Sequence, residues 1–156
     1  MEMQSSRVIA ADRARVWAAL TSAEVLKDCI PGCEELTGSP EDGFKATVKQ
    51  KVGPVRATFR GEVTLSDVVP EHSYRISGDG KGGVAGFAKG TADVRLEDHP
   101  DGTELFYDVT GRVGGKLAQL GSRLIDSFAR KMADTFFERF QAHVEGGPGN
   151  EDAAGD

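Results

Sequence analysis

Several things are scarce in this sequence of 156 residues. It has two cysteines, too few for a disulfide-stapled secreted scaffold. Its three histidines, His72, His99 and His143, are far apart and offer no paired metal-ligand spacing. There is no G-x-S-x-G nucleophile elbow and no G-K-[ST] phosphate loop. No apolar run approaches the ~20 residues that span a bilayer. The opening MEMQSSRVIAADRARVW lacks the apolar core of a signal peptide, so the cytoplasm is the expected compartment. A net charge of −6 argues against general nucleic-acid binding. Four acids, Glu145, Glu151, Asp152 and Asp156, fall in the last twelve residues. That acidic, glycine-rich end has no aromatic residue and is expected to be a disordered tail over 146–156, leaving one folded domain over 1–145.

Within that domain a first strand is expected near Met3–Ala10. Asp12 is a good N-cap for a short helix, RARVWAAL, and Thr21 or Ser22 for a second one reaching about Leu26. Pro31-Gly32 then breaks the chain. Apolar positions alternate through Phe44, Ala46, Val48, Gln50 and Val52, and again through Ala57, Phe59, Gly61, Val63 and Leu65. Further strands are expected around Tyr74 and Ile76, over Val84–Leu96, and through Leu105, Tyr107, Val109 and Gly111. Short turns between them imply an antiparallel meander. From Lys116 to Val144 the period changes to steps of three and four, without a proline, predicting one helix about 43 Å long with Gly121 inside it. The resulting fold class is α+β: a curved antiparallel sheet of six to seven strands around a long C-terminal helix, with two short helices after the first strand.

The stretch Ser77–Gly90 holds Gly78, Gly80 and Gly83 in the G-x-G-x-x-G spacing of a dinucleotide site. The residues after them, VAGFAKGTADVRLE, alternate like a strand, whereas that site needs a helix there. The glycines instead suit a sharply bent hairpin, or strand positions with something bulky overhead.

GKGGVAGFAKG, the earlier IPGCEEL and the later VGGKLAQLGSRLID resemble the carbon monoxide dehydrogenase G-subunit family (CoxG), from about Arg7 to Phe140. That family belongs to the START-like, helix-grip (SRPBCC) superfamily of hydrophobic-ligand-binding proteins. The resemblance implies a helix-grip fold and an accessory role beside a molybdenum hydroxylase of the aerobic CO dehydrogenase type, often with membrane attachment.

Ligand residues expected between sheet and helix are Phe44, Phe59, Val63, Tyr74, Tyr107, Leu117, Leu120, Leu124 and Phe128. Gln50, Tyr74 and Tyr107 are the inward polar tips. Phe87 is expected as a lid over the cavity mouth, on a hairpin bent by Gly80, Gly82, Gly83 and Gly86. Lys45, Lys49, Lys51, Arg56 and Arg60 share one strand phase with no acid between Phe44 and Gly61. They read as a solvated face or as a dock for an acidic partner or anionic lipid. Cys29 and Cys33 read as small apolar residues at a turn, with a redox or metal pair as alternatives. The acids Glu34-Glu35, Glu41-Asp42 and Asp98-Asp101 read as turn residues. No catalytic residue, metal or cofactor is assigned. The expected function is a non-enzymatic accessory protein, cytoplasmic or at the inner membrane face, that binds an apolar or lipid-like molecule such as a quinone. The alternatives are an aromatase/cyclase- or hydrolase-like enzyme on the same fold, or an interaction module without a cavity.

Overall fold

The computed structural model describes residues 1–146, so the acidic segment beyond Gly146 lies outside the described residues. Seven strands form one antiparallel sheet in the order β1-β7-β6-β5-β4-β3-β2. They are β1 (Glu2–Ile9), β2 (Cys33–Ser39), β3 (Gly43–Val52), β4 (Val55–Val69), β5 (Ser73–Lys81), β6 (Phe87–His99) and β7 (Gly102–Gly114). Strands β2 to β7 are a meander, and β1 closes it by pairing with β7, Glu2 opposite Thr110 through Ile9 opposite Thr103. Between β1 and β2 lie α1 (Arg13–Leu20) and α2 (Ala23–Cys29), and α3 (Ser122–Gly146) ends the described chain.

Local chemistry sets these boundaries. The Asp12 carboxylate accepts from Arg15 N at 2.8 Å, and the Ser22 hydroxyl from Val25 N at 3.3 Å, satisfying N–H groups that the helices leave free. Helix α2 runs to Cys29, three residues past the expected end at Leu26. Strand β6 begins at Phe87, not Val84: a 3₁₀ turn, Gly83–Ala85, comes first.

The C-terminal helix differs from the sequence expectation. Gly121 adopts φ +91, which stops a 3₁₀ turn over Gly115–Leu120 before α3 starts at Ser122. Leu117 and Leu120 therefore sit on that turn and not on α3. A Cβ on Gly121 would meet nothing within 4 Å, so Gly121 serves the chain's change of direction, not a close backbone approach. The 25-residue α3 spans about 37 Å.

Helix α3 lies on the concave face, and its C-terminal half is held tightly. Phe137, Phe140 and Val144 are buried with Ile9, Leu96 and Leu105. Phe137 stacks on Tyr107 with ring centroids 5.0 Å apart, Phe136 stacks on Phe140 at 5.8 Å, and the Arg7 guanidinium covers Phe137. Arg7 also pairs with Asp134, tying β1 to the helix.

Candidate ligand-binding site

Register places the inward side chains of β5, β6 and β7 in rows. Tyr74, Val94 and Tyr107 form a bulky row, and Ile76, Ala92 and Val109 form the next. Then come Gly78, Gly90 and Gly111, followed by Gly80, Ala88 and Val113. Gly61 on β4 lies opposite Gly80 and extends this bare region. The fingerprint glycines Gly78 and Gly80 are thus inward positions in the middle of a sheet. The chain after them turns back into β6 and forms no helix, so the pyrophosphate-binding geometry is not built.

The bare rows border the second of two inner chambers, while the first lies over the bulky rows themselves. Over the bulky rows α3 is in contact. Over the glycine rows the sheet offers no side chains to meet it, and Ile125, Phe128, Ala129 and Met132 stay only half-buried. Two chambers remain, of about 310 and 380 Å³. Leu20, Ile30, Phe44, Tyr74, Tyr107 and Phe137 are among the walls of the first. Val48, Phe59, Ala88, Leu117, Ile125 and Phe128 are among those of the second. Met3, Val109 and Met132 line both and mark the waist between them. Each volume lies in the range of small-molecule sites.

Polar groups are few. Gln50 Nε2 donates to the Pro31 carbonyl at 2.6 Å, which commits that amide to holding the loop before β2. Tyr74 is 5% exposed, packs against Trp17 with centroids 5.2 Å apart, and has its phenol pushed up by burial. Lys89 and Arg112 border the second chamber while their strand phase sends their side chains to the outer face.

Of the residues expected to contact a ligand, Phe44, Val63, Tyr74 and Tyr107 line the first chamber. Phe59, Leu117 and Phe128 line the second. Leu120, Leu124 and Phe87 line neither. Leu124 packs over the Gly53 turn and is 37% exposed. Phe87 lies on the outer face with its ring over Gly114, so the structure does not seat it as a lid over the cavity. The Gly82–Gly86 loop is pinned by Gly82 N donating to Gly86 O at 2.8 Å and by buried Ala85. Gly82 rests on the ring of Phe59, so a loop glycine does back the second chamber. Sequence reasoning missed Met3, Met132 and the α2 side of the wall, Leu26 to Pro31. The inward phase of β1 and the helical period contained the two methionines. Nothing in the sequence says where the α2 loop lies against the sheet.

The other candidates are scattered. Cys29 is buried at the end of α2, Cys33 starts β2, and both are free thiols. Burial pushes the Cys29 thiol up to about 11, with Asp28 adding and Arg139 opposing. His72 touches the Arg13 guanidinium, the His99 Nδ1 accepts from Asp101 N, and His143 lies 3.8 Å from Asp28. Glu34 and Glu35 are on strand β2 and not in a turn. Glu34 pairs with Lys49 at 3.2 Å, and Glu62 lies opposite Lys45, so the five-residue basic stripe is interrupted at two positions. Among the described residues no group of three or more His, Cys, Asp or Glu is placed to hold a metal, and no helix is long and apolar enough to cross a membrane.

Comparison with solved structures finds the same architecture repeatedly. A conserved protein of Geobacillus kaustophilus superposes with TM-score 0.86 at 26% identity, covering 93% of this chain and 95% of that one. An uncharacterised protein of Rhizobium leguminosarum gives TM-score 0.69 at 19% identity, covering 93% and 94%. Ara h 8.0201 gives 0.64 at 14% identity, covering 94% and 98%, and shows the shared helix-grip fold. No curated protein matches. The model of the CoxG family, the G subunit of carbon monoxide dehydrogenase, matches residues 6–145, nearly the whole described domain. With its seven-stranded grip on α3, this chain belongs to the carbon monoxide dehydrogenase G-subunit (CoxG) family.

Proposed function

We propose that this protein is a non-catalytic accessory factor of an aerobic CO dehydrogenase-type molybdenum hydroxylase, and that it carries an apolar, lipid-like molecule in the two chambers under α3. One observation carries the reading: the walls of both chambers are almost wholly aliphatic and aromatic, and their few polar tips are Gln50, Tyr74 and Tyr107. Gln50 is already engaged, which leaves two phenols for a ligand's polar end. Such a wall favours an elongated apolar molecule, and a prenylated quinone has the matching chemistry: an isoprenoid chain and carbonyl oxygens that accept from phenols. A hydroxylase that oxidises its substrate must pass electrons onward, and a quinone carrier at the inner membrane face serves that need. Ligand contacts from Phe44, Val63, Phe59, Leu117 and Phe128, which line the chambers, are part of this proposal. So is the docking of an acidic partner or anionic lipid on Lys45, Lys49, Lys51, Arg56 and Arg60.

Native mass spectrometry of the purified protein, followed by solvent extraction, tests the reading. The expected result is a co-purified apolar molecule, and displacement of a fluorescent apolar probe by quinones and fatty acids. Failure of every apolar molecule to displace the probe leaves the interaction-module reading. Turnover of a ligand on incubation leaves the enzyme reading.

A further inference from the structure

A short connection forms part of the first chamber's wall. Ile30, Pro31 and Gly32 join α2 to β2. Ile30 and Pro31 line the first chamber while Gly32 beside them is exposed, so the wall is a single segment thick here. The connection is fixed at both ends. Cys29 is 1% exposed in the core, and Cys33 pairs with Val48 on β3. Between those points two hydrogen bonds seat it on β3. Lys49 N donates to Gly32 O at 2.9 Å, and Gln50 Nε2 donates to Pro31 O at 2.6 Å. The approach is close: Gly32 has φ +77, and a Cβ there would collide with the Lys49 carbonyl.

This seat can open without disturbing the rest of the sheet. Strand β2 is an edge strand, and its pairing shifts register between Cys33 and Glu35, directly after the connection. Lifting Ile30–Gly32 breaks the two bonds to β3 and leaves the ladders from β3 to β7 whole. The backbone bond at Gly32 is an ordinary loop contact. The Gln50 bond differs, because Gln50 is an inward position of β3 and lines the second chamber. An amide among aliphatic and aromatic side chains costs stability unless it is paired, and the Pro31 carbonyl is its partner. One side chain thus lines one chamber and holds shut the wall of the other. The Gly82–Gly86 loop is the competing place for an opening. It stands behind Phe59, lines neither chamber, and is anchored by buried Ala85.

We infer that Ile30–Gly32 is a strap across the ligand's entry to the first chamber, and that Gln50 is the latch that holds it closed from inside the cavity. The inference deepens the carrier reading and rests on it for the cargo.

Stopped-flow fluorescence with N-phenyl-1-naphthylamine, an uncharged apolar probe, measures entry, and its chase by excess fatty acid measures exit. Gln50→Leu keeps the wall apolar and removes the donor. It should speed both entry and exit about fivefold, the factor that one net hydrogen bond is worth. A side chain that only touched the ligand would change exit alone. Gly32→Ala pushes the strap off β3 from the solvent side and should speed both rates as well. Gly102→Ala makes the same kind of collision, with the Ile9 carbonyl, in a turn that lines neither chamber, and should change neither rate. Hydrogen exchange at the Lys49 amide follows the strap without any cargo. In Gln50→Leu it should quicken about fivefold relative to the Leu96 amide, which His72 O holds at 2.8 Å. Faster exit without faster entry, entry unchanged in both Gln50→Leu and Gly32→Ala, or an unchanged Lys49 amide overturns the inference. A quickened Lys49 amide with unchanged entry puts the opening elsewhere and overturns it too. In each of these cases the probe still binds, so the strap falls and the carrier reading stands. If the wild-type protein takes up no apolar probe, the carrier reading falls and the strap with it.

Discussion

Cys29 and Cys33 are four residues apart and chemically unlike. Cys29 closes α2 inside the core, where burial holds its thiol near 11, while Cys33 opens an edge strand half in solvent. A thiol raised in the folded state stabilises the fold fully below its unfolded value of about 9, and that contribution is lost as pH rises through 11. Cys33 should therefore react with a thiol reagent at pH 8 in the folded protein, and Cys29 only on unfolding. Equal rates for the two would show that Cys29 is not protected. The same contrast of burial sorts the aromatics of α3. Phe140 is fully buried, so Phe140→Ala should cost about 3–5 kcal/mol in chemical denaturation. Phe128 is half-buried at the chamber wall, so Phe128→Asp should abolish apolar-probe binding at a smaller cost in stability. Strand phase was legible residue by residue, which is why Phe44, Phe59, Tyr74 and Tyr107 face the helix as expected. Phase alone says nothing about Leu124, because helical period gives a face without saying where along the helix the sheet ends.

At the scale of elements, the strands with alternating residues were readable and β2 was not. Its sequence, CEELTGS, has one large apolar residue, a bulge between Cys33 and Glu35, and solvent on its free edge. It is a strand because β3 offers a partner, and pairing of that kind leaves little trace in local sequence. The helix start failed for a different reason. Leu117, Leu120 and Leu124 keep the steps of three and four straight through Gly121, and the backbone turns there regardless. Gly121 therefore distinguishes two structures by experiment. An interior helix glycine would gain up to ~1 kcal/mol on replacement by Ala. With φ +91 and ψ 152, Gly121→Ala should instead destabilise by about 1–3 kcal/mol, although its Cβ has open space around it. Thermal denaturation of that single variant decides the sign.

For the whole molecule, the glycines explain why a sheet gripping a long helix does not close on it. Side chains fill one half of the concave face, from Tyr74, Val94 and Tyr107 to the aromatic cluster of α3. Glycine and alanine leave the other half bare. Glycine enrichment was visible in the sequence, but its meaning depended on register, because only pairing brings Gly61, Gly80 and Ala88 into one row. The bare half borders the second chamber, the first lies over the filled half, and the two meet at Met3, Val109 and Met132, where flexible thioethers would let a bound chain pass. A bulky residue there should divide the cavity and leave each chamber usable. Met132→Trp is thus expected to reduce affinity for a long prenylated quinone at least tenfold, while a short apolar probe that fits one chamber keeps its affinity within about twofold. The loss corresponds to about 1.4 kcal/mol or more, the scale of apolar contacts forgone when a chain can enter only one chamber. Leu124→Trp, outside both chambers, is the matched control and should discriminate against neither. Equal losses for long and short molecules in Met132→Trp would mean that the ligand occupies a single chamber, and that the waist plays no part in selecting its length.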